Sequence, residues 1–193
     1  MKIAILGGSY NPPHKGHQLI AKQVLEFAPI DQVWLTPCYL HTFGKTLELT
    51  KHRTAMTKML VGRKIKYCDE EIENKLNGET IELLKLLEKK YPQHKFSFII
   101  GSDNLKDFKK WGQWEELILR FTFWVFPRPK FDYSLKKYSL TNSNYKFKLL
   151  KHKNLETSST SSTQVRQRIQ KNQSIDHLVT KRVRKYIESN NLY

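Results

Sequence analysis

Lys2-Ile3-Ala4-Ile5-Leu6-Gly7-Gly8-Ser9-Tyr10-Asn11-Pro12-Pro13-His14-Lys15-Gly16-His17 stands almost at the start of the chain. Residues 2–6, a lysine followed by aliphatic residues that include the β-branched Ile3 and Ile5, predict a buried strand. The strand runs straight into two glycines, which let a ligand approach the backbone closely and expose N–H donors. Pro12 and Pro13 stiffen the turn, and a helix starts near Gly16 with its positive end toward the same edge. Such an assembly suits a phosphate chain. His14 and His17 are three apart, so at a helix start both imidazoles can lie on one face. From there they can donate hydrogen bonds to one phosphate as its charge builds during displacement. A glycine pair after a strand is by itself an ordinary tight turn, and a His pair at this spacing arises often by chance. Their conjunction with Ser9 and Asn11-Pro12-Pro13 at the first strand–helix turn points to nucleotide chemistry.

The same grammar repeats downstream. Residues 32–36, 95–100 and 121–126 read as buried strands, with 64–68 and 145–150 as weaker candidates. Helical spacing appears over 18–27, from a cap at Thr50 through Leu60, over 79–91, and in a terminal helix within 176–193. The polar stretch 132–144 reads as an exposed loop. Strand alternating with helix predicts an α/β fold, a Rossmann-like parallel sheet with helices on both faces. Ligands in such sheets bind where the strand order reverses. One domain over 1–193 is expected, with a C-terminal helical part from about 162.

Composition excludes some classes. Lys and Arg total 34 against 18 Asp and Glu, a formal net charge of +16 that attracts anions in general. The basic residues are scattered and no zinc-finger or RNA-recognition spacing appears, so a nucleic-acid surface is the weaker reading. The longest apolar stretches, such as 121–126, are strand-length, and residues 3–6 are too short for a signal-peptide core. Two cysteines, Cys38 and Cys68, cannot build a disulfide framework or a four-ligand zinc site. A cytoplasmic protein that meets no membrane is expected.

Residues 7–17 resemble the signature of the nucleotidyltransferase superfamily with the (T/H)-x-G-H motif. The chain is most similar to the bacterial nicotinate (or nicotinamide) mononucleotide adenylyltransferases. Ser161-Ser162-Thr163-Gln164-Val165-Arg166 resembles that group's late motif at a helix start. Gly101-Ser102-Asp103-Asn104-Leu105 is similar to its Gly-x-Asp segment, and Trp111-Gly112-Gln113-Trp114 to the tryptophan stretch that follows. The order and spacing fit from Met1 to roughly Ile187.

The resemblance implies transfer of AMP from ATP to nicotinate mononucleotide, giving deamido-NAD and pyrophosphate. Nicotinamide mononucleotide is the alternative acceptor. His14 and His17 carry over as the α-phosphate donors, and Gly8, Ser9 and Tyr10 lie along the ATP loop. Mg²⁺ is expected, bound mainly through the ATP phosphates rather than by a protein metal site. Arg166 would clamp the outer phosphates, while Ser162 and Thr163 would cap their helix and offer donors to the same anion. Asp103 would accept from ribose hydroxyls, a role compatible with capping the helix after it. Trp111 is the platform for the pyridine ring, against core packing for Trp114. Thr80 begins a helix whose N–H groups would receive the nicotinate carboxyl. Arg128, between two prolines, reads equally as a surface turn or as the clamp on the mononucleotide phosphate.

One segment departs from the group's pattern. Cys38-Tyr39-Leu40-His41-Thr42-Phe43-Gly44-Lys45 stands where many relatives carry a Pro-Pro-His-Lys type element. His41 and Lys45 reach for the phosphates in one reading, and the segment is a surface loop in the other. This departure leaves the choice between acid and amide acceptors open. Phosphopantetheine adenylyltransferases share the His-x-Gly-His element but lack the tryptophan stretch. A basic nucleic-acid-binding module is the rival of a different class, and it predicts salt-sensitive binding without ATP turnover. Oligomeric state has no signature in the sequence.

Overall fold

Ile3 and Ile5 point to one face of the first strand, β1 (Lys2–Gly8), and Ala4 and Leu6 to the other, and all four are buried. An alternating strand with two apolar faces requires cover on both sides. The computed structural model, which describes residues 1–40, 44 and 46–193, supplies it. Among these residues, β1 is joined by β2 (Gln32–Pro37), β3 (Ile65–Tyr67), β4 (Lys95–Gly101), β5 (Thr122–Phe126) and β6 (Phe147–Leu149). All neighbours run parallel, in the order β3-β2-β1-β4-β5-β6. The helices are α1 (Lys15–Phe27), α2 (Thr50–Lys58), α3 (Glu70–Glu73), α4 (Thr80–Lys90), α5 (Trp114–Arg120), α6 (Ser162–Gln170) and α7 (Lys181–Ser189).

Two apolar layers sandwich the sheet. On the Ala4 side lie Ile20 and Val24 of α1, Met56 of α2, Val165 of α6, and Val183 and Ile187 of α7. On the Ile5 side lie Leu84 and Leu87 of α4, Phe108 of the 3-10 helix Ser102–Lys110, and Leu117 of α5. This is the predicted Rossmann-like fold with helices on both faces. The weaker strand candidates are real, and each forms a three-residue edge strand, β3 and β6.

Three local expectations need correction. Thr50 is the first residue of α2 rather than its cap, because Leu49 takes the cap position. The terminal helix is shorter than its apolar pattern, because Thr180 is extended and its hydroxyl accepts the Val183 N–H (3.3 Å). Leu178 and Val179 are buried just ahead of it, outside the helix. The 132–144 stretch is tied down rather than free. Leu140 is buried, and the Tyr133 hydroxyl reaches the carbonyls of Val125 (2.8 Å) and Leu150 (2.7 Å).

Arg53 of α2 fixes the loops at the carboxyl edge of the sheet. Its side chain is fully buried, which is rare for a charged group unless its donors are satisfied. Nη1 donates to the carbonyls of Ser9 (2.9 Å) and Cys38 (2.7 Å), and Nε donates to Glu48 (2.9 Å). One guanidinium thus joins the turn after β1 to the segment after β2. Arg53→Ala leaves those carbonyls without donors and should cost about 3 kcal/mol. A thermal melt should then fall by about 6–12 °C, and an unchanged melt would contradict this role.

Candidate active site

The strand order reverses between β1 and β4, and two cavities open at the carboxyl ends of these strands. Gly7, Gly8, Ser9, Phe98, Asn104 and Trp111 line both, so the cavities meet over the glycine turn. The larger, about 330 Å³, holds His14, His17, Asp103, Arg128 and the start of α6. The smaller, about 210 Å³, is bounded by Glu71, Thr80, Leu83 and Trp111.

His14 is the N-cap residue of α1, and its backbone N–H donates to Nδ1 of His17 (3.1 Å). That bond fixes the tautomer of a neutral His17, since an Nδ1 that accepts leaves the proton on Nε2. The two rings lie 3.8 Å apart between centroids. The glycine between them in the motif has a steric reason: a Cβ on Gly16 would stand 2.9 Å from Nδ1 of His14. Tyr10 sits beneath the pair. Its ring stacks on His17 at 4.6 Å, its hydroxyl donates to the Leu6 carbonyl (2.6 Å), and it lines neither cavity. Burial, then the neighbouring His17 and Arg128, hold the His14 imidazole far below its ordinary range. Burial and Arg128 push His17 down to about 3. Both rings are therefore neutral near pH 7 and present N–H donors without carrying a charge.

Helix α6 docks on this turn through side chains. Ser162 Oγ donates to the Pro12 carbonyl (2.8 Å), and Arg166 Nη1 donates to the Asn11 carbonyl (2.6 Å). Ser161, rather than Ser162 or Thr163, is the cap, accepting the Gln164 N–H at 3.2 Å. Thr163 Oγ1 instead accepts from Arg166 Nη2 (3.3 Å). Ser162, Thr163 and Arg166 all line the larger cavity. Across it, Arg128 Nε lies 3.7 Å from Asp103 Oδ1, and its backbone N–H donates to Ser102 Oγ (3.0 Å). Arg128 is therefore a cavity group rather than a surface turn.

In the smaller cavity Trp111 stacks on Phe108 (5.2 Å between centroids) and meets the edge of Phe98 (6.2 Å). Trp114 is set aside from both cavities and packs edge-on against Tyr145. Thr80 opens α4 and lines the wall. Asn104, Glu71 and Glu79 are among the lining residues not singled out in the sequence. Glu79 Oε2 accepts the Gly112 N–H (3.0 Å), which ties the start of α4 to the tryptophan segment. Glu71 is buried, its Oε1 has no hydrogen-bond partner among the described residues, and burial pushes its carboxyl up to about 8. In the sequence it stands in the acidic run Asp69-Glu70-Glu71, with no motif to mark it out. His41 and Lys45 lie outside the described residues.

The buried histidine pair has a direct spectroscopic signature. In the free protein, ¹⁵N-detected histidine spectra should show both rings neutral down to about pH 5, with His17 as the Nε2–H tautomer. Titration of both near the ordinary value of about 6.5 would contradict the arrangement.

Comparison with known proteins agrees with the geometry. Residues 5–168 match the profile of the cytidylyltransferase-like family. A probable nicotinate-nucleotide adenylyltransferase of Bacillus licheniformis is 32% identical over 196 residues, covering 100% of this chain and 98% of its own. The nicotinate-nucleotide adenylyltransferase of Bacillus subtilis is 31% identical with the same coverage. Among solved structures, the Plasmodium falciparum nicotinic acid mononucleotide adenylyltransferase complexed with NaAD superposes with a TM-score of 0.83. It is 24% identical, covers 100% of this chain and 97% of its own, and attests the fold. The chain belongs to the nicotinate-nucleotide adenylyltransferase family, within the cytidylyltransferase-like proteins.

Proposed function

We propose that this chain transfers AMP from Mg²⁺-bound ATP to nicotinate mononucleotide, forming deamido-NAD and pyrophosphate in the cytosol. One observation carries the reading: a cavity with two neutral imidazoles and two guanidiniums opens onto an aromatic cavity over a shared glycine turn. The larger cavity takes the triphosphate and the smaller the pyridine mononucleotide. An oxygen of the acceptor phosphate attacks the α-phosphorus of ATP. The new P–O bond forms as the bond to the bridging α,β-oxygen breaks and pyrophosphate leaves. The nucleophile is already an anion, so no general base is needed, and the protein positions groups and stabilises charge.

His14 and His17 donate to the α-phosphate oxygens, and the backbone of Gly8 and Ser9 lies along the triphosphate. Arg166 holds the outer phosphates with Ser162 and Thr163, where a planar fork of donors fits best. Asp103 accepts from a ribose, Arg128 takes the mononucleotide phosphate, and Trp111 stacks the ring over Thr80. Among the described residues no group of three His, Cys, Asp or Glu is placed to hold a metal. The cation enters with its nucleotide, as substrate. Likewise no described helix is long and apolar enough to cross a membrane.

Pyrophosphate release with ATP and Mg²⁺ tests the reading. Nicotinate mononucleotide should turn over best, nicotinamide mononucleotide less well, and phosphopantetheine not at all. His17→Ala should lower kcat by about 10²–10³-fold while changing ATP affinity less than about threefold, as for a bond that tightens in the transition state. Turnover with phosphopantetheine alone, or salt-sensitive nucleic-acid binding without turnover, would overturn the assignment.

A further inference from the structure

Residues 150–161 join β6 to α6 with neither helix nor strand, yet they deliver Thr160 and Ser161 to the larger cavity. A segment without a ladder of its own takes its place from what it packs against. This one runs antiparallel along a single face of α1. The His152 ring stacks on Phe27, 4.0 Å between centroids. Next, Glu156 meets Gln23, and Ser158 Oγ lies 3.5 Å from where a Cβ on Gly16 would stand. Ser162 Oγ then reaches the Pro12 carbonyl (2.8 Å). Gly16, Gln23 and Phe27 share one face because they are spaced by whole turns of the helix.

The contacts at Phe27 and Gly16 tolerate sliding, but the one at Gln23 does not. Its Nε2 donates to the Glu156 carbonyl (2.8 Å), and its Oε1 accepts the Glu156 N–H (2.7 Å). The side chain is buried, where an amide is costly unless it is paired in this way. A slip of one residue would break both bonds and carry the chain along by about 3.3 Å.

We propose that Gln23 is a positioning residue, which sets the register of 156–161 on α1 and thereby the placement of the outer-phosphate groups. This inference rests on the transferase reading above. Gln23 lines neither the triphosphate cavity nor the acceptor cavity, so it acts through the segment it holds. The helix that carries Gln23 also begins at the His14–His17 pair, about 10 Å away along its axis. One rigid element thus fixes the distance between the α-phosphate donors and Ser162, Thr163 and Arg166. The outer phosphates leave as pyrophosphate, so the same groups bind pyrophosphate in the reverse direction. No described residue from 150 to 166 lines the acceptor cavity, which leaves the mononucleotide outside this control.

The test measures KM for all four substrates, in both directions, with wild type, Gln23→Met and Gln23→Glu. Methionine matches the length of glutamine and makes neither bond. Gln23→Met should raise KM for ATP and for pyrophosphate about tenfold, and change KM for the mononucleotide and the dinucleotide less than about twofold. Glutamate keeps an oxygen for the Glu156 N–H, so Gln23→Glu should bring KM for pyrophosphate back to within about threefold of wild type. A merely structural Gln23 would lower the melt and the active fraction while leaving every KM unchanged. Unchanged KM for pyrophosphate in Gln23→Met, an equal rise for all four substrates, or no recovery in Gln23→Glu overturns the inference and leaves the transferase reading intact. Absence of turnover by wild type in either direction overturns that reading, and the inference with it.

Discussion

A single backbone hydrogen bond orders the site: the His14 N–H held by Nδ1 of His17. It satisfies one of the orphan donors at the start of α1, and it also sets which nitrogen of a neutral His17 carries the proton. It holds the His17 ring beside that of His14, 3.8 Å apart between centroids. Close packing there needs Gly16, whose place no larger residue can take without moving His14. Tyr10 supports the stack from below, with its own hydroxyl anchored on Leu6. Strand, turn and helix are thus one unit, and the chemistry assigned to it follows from its packing.

Distant parts of the chain converge to hold that unit in place. Arg53 reaches the turn from α2, and Ser162 and Arg166 reach it from α6. The Lys15 N–H donates to the carbonyl of Leu178, so the segment before α7 also closes on the start of α1. Neutral imidazoles beside two guanidiniums make the larger cavity a place for a polyanion. The smaller cavity has the opposite character, with an aromatic floor and two carboxyl groups on its wall. A reaction that joins a triphosphate to a pyridine mononucleotide needs both.

Much of this was legible in the sequence because buried parallel strands read as continuous apolar runs ended by glycine or proline. The turn after β1 was legible because its glycines, prolines and histidines each have a separate physical reason. Other features were hidden for equally physical reasons. Ser161, Ser162 and Thr163 are all good helix caps, so only the fold decides that Ser161 caps and Ser162 docks. Tyr10 lies within the motif, yet its ring belongs to the core. Glu71 is one acid in a run of acids, and only tertiary packing turns it from solvent to a cavity wall. The start of α7 depends on Thr180, a local cap that overrides an apolar pattern beginning earlier.

The assignment of the larger cavity to the triphosphate is tested most directly by a crystal structure with an ATP analogue whose α,β-bridge is a methylene group. The account predicts Nε2 of both His14 and His17 within about 3.2 Å of α-phosphate oxygens, with the Arg166 guanidinium on the outer phosphates. A triphosphate bound elsewhere, with the two rings still closed over an empty turn, would contradict it.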